Sequence, residues 1–174
     1  MKKTILLLLS IAVFVLPVFS QRTIHTVGEF SVHDEENRFY LQMPAREVYD
    51  LLGNPLEVRR VRHPSPVHEF DRVIIKYQGI TFIYADLFDD PQILVIGFSE
   101  NYQMNNMKLI GLNKNQVIEK YGTPGSIEKI NRYTYFRYRF NLDQHGLEHF
   151  ILQFRFNSWG ICVGVMLIHG FFNI

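Results

Sequence analysis

Residues 41–55 read LQMPAREVYDLLGNP, and residues 110–124 read IGLNKNQVIEKYGTP. Aligned without a gap, 69 positions apart, Leu41, Met43, Val48, Leu52, Gly53 and Pro55 fall on Ile110, Leu112, Val117, Tyr121, Gly122 and Pro124. In the first copy Val48, Leu51 and Leu52 recur at spacings of three and four, which places them on one side of a helix. Pro44 suits the first helical turn, where its missing N–H would have had no partner. Gly53 can adopt the left-handed backbone that ends a helix, and Pro55 keeps it from resuming. The second copy follows the same plan, with Asn113 as N-cap, then Gln116, Val117, Lys120 and Tyr121, then Gly122 and Pro124. Each copy predicts a helix of about nine residues, too short to be stable alone, so each must lie against something.

Strands supply that support. After the first helix, Asp71–Tyr77, Ile80–Ala85 and Ile93–Phe98 are rich in Val, Ile, Phe and Tyr; Gln78-Gly79 forms a tight turn and Asp86–Pro91 a longer acidic one. After the second helix, Arg132–Phe140, Phe150–Phe156 and Ile161–Ile168 repeat the pattern, broken by 141–149 and by Asn157-Ser158-Trp159-Gly160. Phe150, Leu152, Phe154 and Phe156 alternate with Gln153 and Arg155, the mark of an antiparallel strand with one buried face. The last strand is apolar on both sides, which predicts that it is central in a sheet or covered by the partner half. The run Arg59–Pro66, with its two prolines, reads as an exposed polar connector. The fold expected is α+β: two tandem units, each a short helix packed on an antiparallel sheet of about three to four strands. Residues 21–100 would hold the first unit and 101–174 the second. A single mixed α+β domain without internal symmetry is the alternative.

The pattern Val-x-x-x-Leu-Gly-x-Pro, carried by Val48, Leu52, Gly53 and Pro55 and again by Val117, Tyr121, Gly122 and Pro124, resembles the beta-lactamase-inhibitor-protein-like (BLIP-like) fold. That group also holds small outer-membrane assembly lipoproteins, which resemble a single unit. The tandem inhibitors are similar over about residues 38–170. The resemblance implies an exported binding protein made of two helix-plus-sheet units. The inhibitors carry disulfides that Cys162 cannot supply, and no hairpin here matches their inhibitory loops, so no inhibitory residue transfers to this chain.

The chain opens MKKTILLLLSIAVFVLPVFSQ. Lys2 and Lys3, the apolar stretch from Ile5 to Leu16, and Val18 and Ser20 before Gln21 have the three-part layout of a signal peptide, residues 1–20. A membrane anchor is the alternative, although the run is short for a span of about 20 residues. Cleavage would leave 16 basic and 17 acidic residues, a near-neutral chain with no electrostatic footprint for nucleic acid. One cysteine permits no internal disulfide, so stability must come from a core, for which the chain's 15 Phe (all but Phe14 and Phe19 beyond residue 20) and 9 Tyr are available. The expected location is the bacterial periplasm or the exterior.

No residue pattern spells out a reaction. His145 and His149 have ligand-like spacing, but Gly146 between them belongs to a turn, and His63 and His68 flank prolines. Neither pair predicts a metal, and no cofactor is expected. Cys162, among Ile161 and Val163, reads as a buried inert thiol. The adjacent acids Glu35-Glu36 and Asp89-Asp90 would point to opposite sides of an extended chain, and the acidic turn bearing Asp86, Asp89 and Asp90 reads as solvated. No serine sits in a hydrolase elbow. A binding surface has better support. In YTYFRYRF (133–140), Tyr133, Tyr135, Arg137 and Arg139 share one face, while Thr134, Phe136, Tyr138 and Phe140 share the other. Tyr and Arg concentrate at binding hot spots. Trp159, in a turn, is either an exposed anchor or a plug between the halves, and the plug is the favoured expectation. The partner expected is another protein or an envelope component; the alternatives are a structural envelope factor and an enzyme assembled only in three dimensions.

Overall fold

The computed structural model describes residues 29–63, 70–87, 89–142 and 148–170. The signal-peptide residues, Pro64 to His68 and His145 lie outside them. A hairpin comes first, β1 (Ser31–His33) and β2 (Arg38–Tyr40), followed by α1 (Ala45–Leu52). Four strands follow, β3 (Glu57–His63), β4 (Phe70–Tyr77), β5 (Ile80–Ala85) and β6 (Ile93–Phe98). The short β7 (Gln103–Met104) leads to α2 (Lys114–Tyr121) and a second series of four: β8 (Ser126–Ile130), β9 (Tyr133–Asn141), β10 (His149–Phe156) and β11 (Cys162–His169). Among the described residues the architecture is α+β, with two helices and antiparallel sheets.

Both helices follow their local chemistry. Asn113 accepts from the Gln116 backbone N–H at 3.0 Å while Gln116 accepts from the Asn113 N–H at 2.9 Å, a reciprocal cap. Pro44 offers α1 no side-chain cap. Gly53 and Gly122, at φ +68° and +78°, end the two helices where a Cβ would be strained. The carbonyl of each accepts from a tyrosine: Gly53 from Tyr77 at 2.9 Å and Gly122 from Tyr138 at 3.1 Å.

Where separate sheets were expected, the two series of strands join in one eight-stranded sheet of order β3-β4-β5-β6-β11-β10-β9-β8. The join is β6 on β11, with Val95 opposite Ile168 and Phe98 opposite Val165. β11 is therefore central, as its two apolar faces require. β2, β1 and β7 form a separate three-stranded sheet. The core fills one face of the large sheet, beneath the helices and the small sheet. Phe39, Phe82, Phe150, Phe154 and Phe156 are fully buried there with Val48 of α1 and Val117 of α2. Tyr121 of α2 packs on Phe154 and Tyr138, and Phe30 on Phe140 and Phe150. The opposite face carries a smaller apolar cluster around Ala85, Val95 and Ile168.

Two stretches to which the sequence assigned no strand, one of them the expected polar connector, are strands. Glu57–His63 pairs with β4 along its whole length, Arg60 opposite Val73 and Arg62 opposite Asp71. Its polarity is that of a sheet edge, which natural sheets load with charge against wrong pairing. Ser126–Ile130 forms the other edge, exposed at every residue, and makes a fourth strand in the second series.

Candidate functional site

β9 has the alternation its sequence predicts. Phe136 and Tyr138 are buried in the core, which turns Tyr133, Tyr135, Arg137 and Arg139 to the opposite face of the sheet. Register then fixes their neighbours. Arg137 stands opposite Gln153, Gln153 opposite Met166, Met166 opposite Gly97, Gly97 opposite Thr81 and Thr81 opposite Lys76. One row of side chains thus crosses six strands. In the next row Tyr135 faces Arg155, and Arg155 faces Gly164.

Gly97 and Gly164 lie on neighbouring central strands and contribute no side chain, so the face is hollowed between its taller walls. A groove of about 660 Å³ results. Tyr135, Arg137, Gln153 and Arg155 line it on one side, Lys76 and Thr81 on the other. Its charged lining residues are Lys76, Arg137 and Arg155, all basic.

Hydrogen bonds and ring contacts hold the walls. Arg137 Nε donates to Gln153 Oε1 at 2.7 Å, and a terminal nitrogen of the same guanidinium lies 2.9 Å from the Glu128 carboxylate. Across the groove Lys76 donates to Glu57 at 2.6 Å. The Arg155 guanidinium stacks over Tyr133, 5.1 Å from the ring centroid, and leans over Gly164, where a Cβ would come within 3.2 Å of it. Arg139 sits further along β9, 3.2 Å from His149 Nδ1.

Four of the five residues singled out from sequence, Tyr133, Tyr135, Arg137 and Arg139, thus share one sheet face. Tyr135 and Arg137 line the groove, Tyr133 supports it through Arg155, and Arg139 stands beyond it. Trp159 corrects an expectation. It does not plug the halves but stands 84% exposed at the tip of the β10–β11 turn, because Asn157 Oδ1 accepts from both the Trp159 and the Ile161 N–H and holds the turn outward. Lys76, Thr81 and the glycine floor escaped sequence reasoning. Gln153 and Arg155 were placed on the correct face by alternation, and only their pairing with β9 makes them part of a site.

Among the described residues, no three His, Cys, Asp or Glu are grouped to hold a metal, and no helix is long and apolar enough to cross a membrane. Cys162 is buried, with its thiol pushed up to about 11 by desolvation. Asp86 pairs with Arg60 and Asp90 with Arg46, so two of the turn's acids serve surface ion pairs. No family model matches the chain, and no curated protein or solved structure does either.

Proposed function

We propose that this is a non-catalytic, exported binding protein whose grooved sheet face grips another protein or an envelope component. The observation that carries the reading is the convergence of Tyr135, Arg137, Gln153 and Arg155 with Lys76 on one basic groove. Tyr and Arg bury large area at modest entropic cost and still offer hydrogen bonds. Lys76 and Arg137 are ion-paired at the rim, and Arg155 is the lining cation left to meet an anionic group of the partner. The Glu128 ion pair and the Gln153 bond pre-set the Arg137 rotamer, and stacking on Tyr133 sets that of Arg155, which lowers the cost of ordering them on contact.

On this reading the chain is a tandem of BLIP-like units, residues 21–100 and 101–174, following a cleaved signal peptide and acting in the periplasm or outside the cell. Each helix followed by four strands, and the matching tyrosine-to-glycine bonds at the two helix ends, support that duplication. The site then lies across the join of the units.

Affinity capture from a bacterial envelope extract tests the reading. The bait is the chain begun at Gln21, beside a variant carrying Tyr135→Ala and Arg137→Ala, both checked for folding by circular dichroism. A partner held by the first bait and lost from the second supports the reading. A partner held equally by both would remove the groove from the account.

A further inference from the structure

Two turns meet at one corner of the large sheet. Ile130 of β8 pairs with Tyr133 of β9, so the turn Asn131-Arg132 lies at the same end as Thr134, which faces Phe156, the last residue of β10. The turn bearing Trp159 starts from that residue. With strands about 4.8 Å apart, the two turns are neighbours at roughly 10 Å. Trp159 is 84% exposed and Ile130 is 42% exposed. Around them stand four cations: Lys114, Lys129, Arg132 and Arg155. Arg132 and Arg155 both stack on Tyr133, at 5.1 Å. Lys114 Nζ donates to Thr134 Oγ1 at 3.2 Å, and its stem runs beside Gly160 at the foot of the Trp159 turn. Neither turn contains an acid, and no ion pair among the described residues engages any of the four cations.

From this we infer that the corner is a docking site for an anionic phospholipid surface; it adjoins the groove, whose lining it shares at Ile130 and Arg155, and does not depend on what Tyr135 and Arg137 hold there. Indole is the side chain that settles best at a membrane–water boundary, apolar in its body and polar at its N–H. Lysines and arginines that hold no acidic partner draw toward anionic headgroups. A shallow apolar anchor combined with a basic patch is the pairing that holds proteins on such surfaces reversibly. The shape separates a lipid surface from an acidic protein. Trp159 stands at a tip fixed by Asn157, and the second turn closes the same end of the sheet about 10 Å away, so one flat surface can meet both turns. A protein partner would need a pocket at one turn and an acidic wall at the other.

Trp159 is the only tryptophan in the chain, so its fluorescence reports on this corner alone. The chain begun at Gln21 keeps every described element and removes the apolar N-terminal run as a source of lipid binding. It is mixed with vesicles of phosphatidylcholine, and with vesicles of phosphatidylcholine and phosphatidylglycerol in equal parts. The proposal expects a blue shift of Trp159 emission and co-sedimentation only with the second. It also expects Lys129→Ala and Arg132→Ala each to lower vesicle partitioning roughly fivefold, and Trp159→Ser to weaken sedimentation further with its fold intact. Unchanged emission with anionic vesicles overturns it. So does equal binding to neutral vesicles, and so does a blue shift on adding soluble polyglutamate without any on vesicles, which would assign the corner to an acidic protein. Tyr135→Ala with Arg137→Ala leaves vesicle binding unchanged, so failure of this proposal and failure of the groove reading are told apart.

Discussion

Arg137 Nε and Gln153 Oε1 lie 2.7 Å apart on neighbouring strands, and the same guanidinium reaches Glu128. This bond sets the side wall of the groove before anything enters it. Because the Arg137 and Glu128 side chains are 39% and 45% exposed, their attraction is screened and contributes little to folding. Arg137→Ala is therefore expected to change unfolding free energy by less than about 1 kcal/mol while abolishing capture of the partner. Urea unfolding run beside the capture assay checks both halves of that expectation.

Phe154 gives the opposite result. It is fully buried, in ring contact with Tyr121, Tyr138 and Phe156. Phe154→Ala leaves a cavity under α2 and is expected to cost about 3–5 kcal/mol. The same urea titration measures it. A cost below 1 kcal/mol would mean that α2 does not pack on β10 as described.

Asn113 is expected to contribute more than a surface position of its kind. Its side chain and that of Gln116 cap α2 reciprocally, so Asn113→Ala removes a partner from the helix end and costs about 1 kcal/mol. Thermal unfolding shows it as a lowered midpoint. An equivalent change at Pro44 removes no side-chain cap.

Gly79 turns β4 into β5 at φ +79°, and a Cβ there would meet the Glu100 carbonyl oxygen at 2.8 Å. Backbone cannot yield as a side chain can, so Gly79→Ala is expected to destabilise by more than about 1 kcal/mol. Gly164→Ala meets only the flexible Arg155 guanidinium at 3.2 Å. Its expected effect is on partner affinity and not on the thermal midpoint, because it lifts Arg155 from the groove floor.

Alkaline pH should loosen the fold in a defined order. Burial holds the Cys162 thiol up at about 11 against its ordinary 9.0, and Tyr84 and Tyr121 at about 12 against 10.0. Above pH 9 the unfolded chain releases the thiol proton while the folded chain keeps it. The folded state then binds more protons, and stability falls as pH rises. Stability from these groups is complete below pH 9, declines first through Cys162 and then, above pH 10, through the two tyrosines. Cys162→Ala should flatten the decline between pH 9 and 10 and leave the later one. Urea midpoints across that range make the comparison.

How far the sequence carried depended on whether a residue had a buried face. Phe150 to Phe156 alternates because one side of β10 enters the core, so the strand and its buried face were legible. Asn113, Gly122 and Pro124 marked α2 because helix ends are local chemistry. Arg59 to Arg62 carries no such mark: an edge strand buries little, and charge there resembles a loop. Ser126 to Ile130 was missed for the same cause. The pairing of Val95 with Ile168 joins residues far apart in the chain, and local pattern names a strand without naming its partner. The groove depends on that pairing, since Gly97 and Gly164 form a floor only once β6 and β11 are adjacent. Tyr135 and Arg137 could therefore be placed on a face from sequence, while Lys76 and Thr81 could not be placed opposite them.

The grooved face, and not the helical layer, is the surface proposed to meet a partner in the cell envelope. A photo-crosslinking amino acid placed at Tyr135 and, in a separate protein, at Ile118 on the exposed side of α2 tests it in living cells. A discrete adduct of one partner is expected from position 135 and none from position 118. Adducts from 118 alone, or the same adducts from both positions, would contradict it.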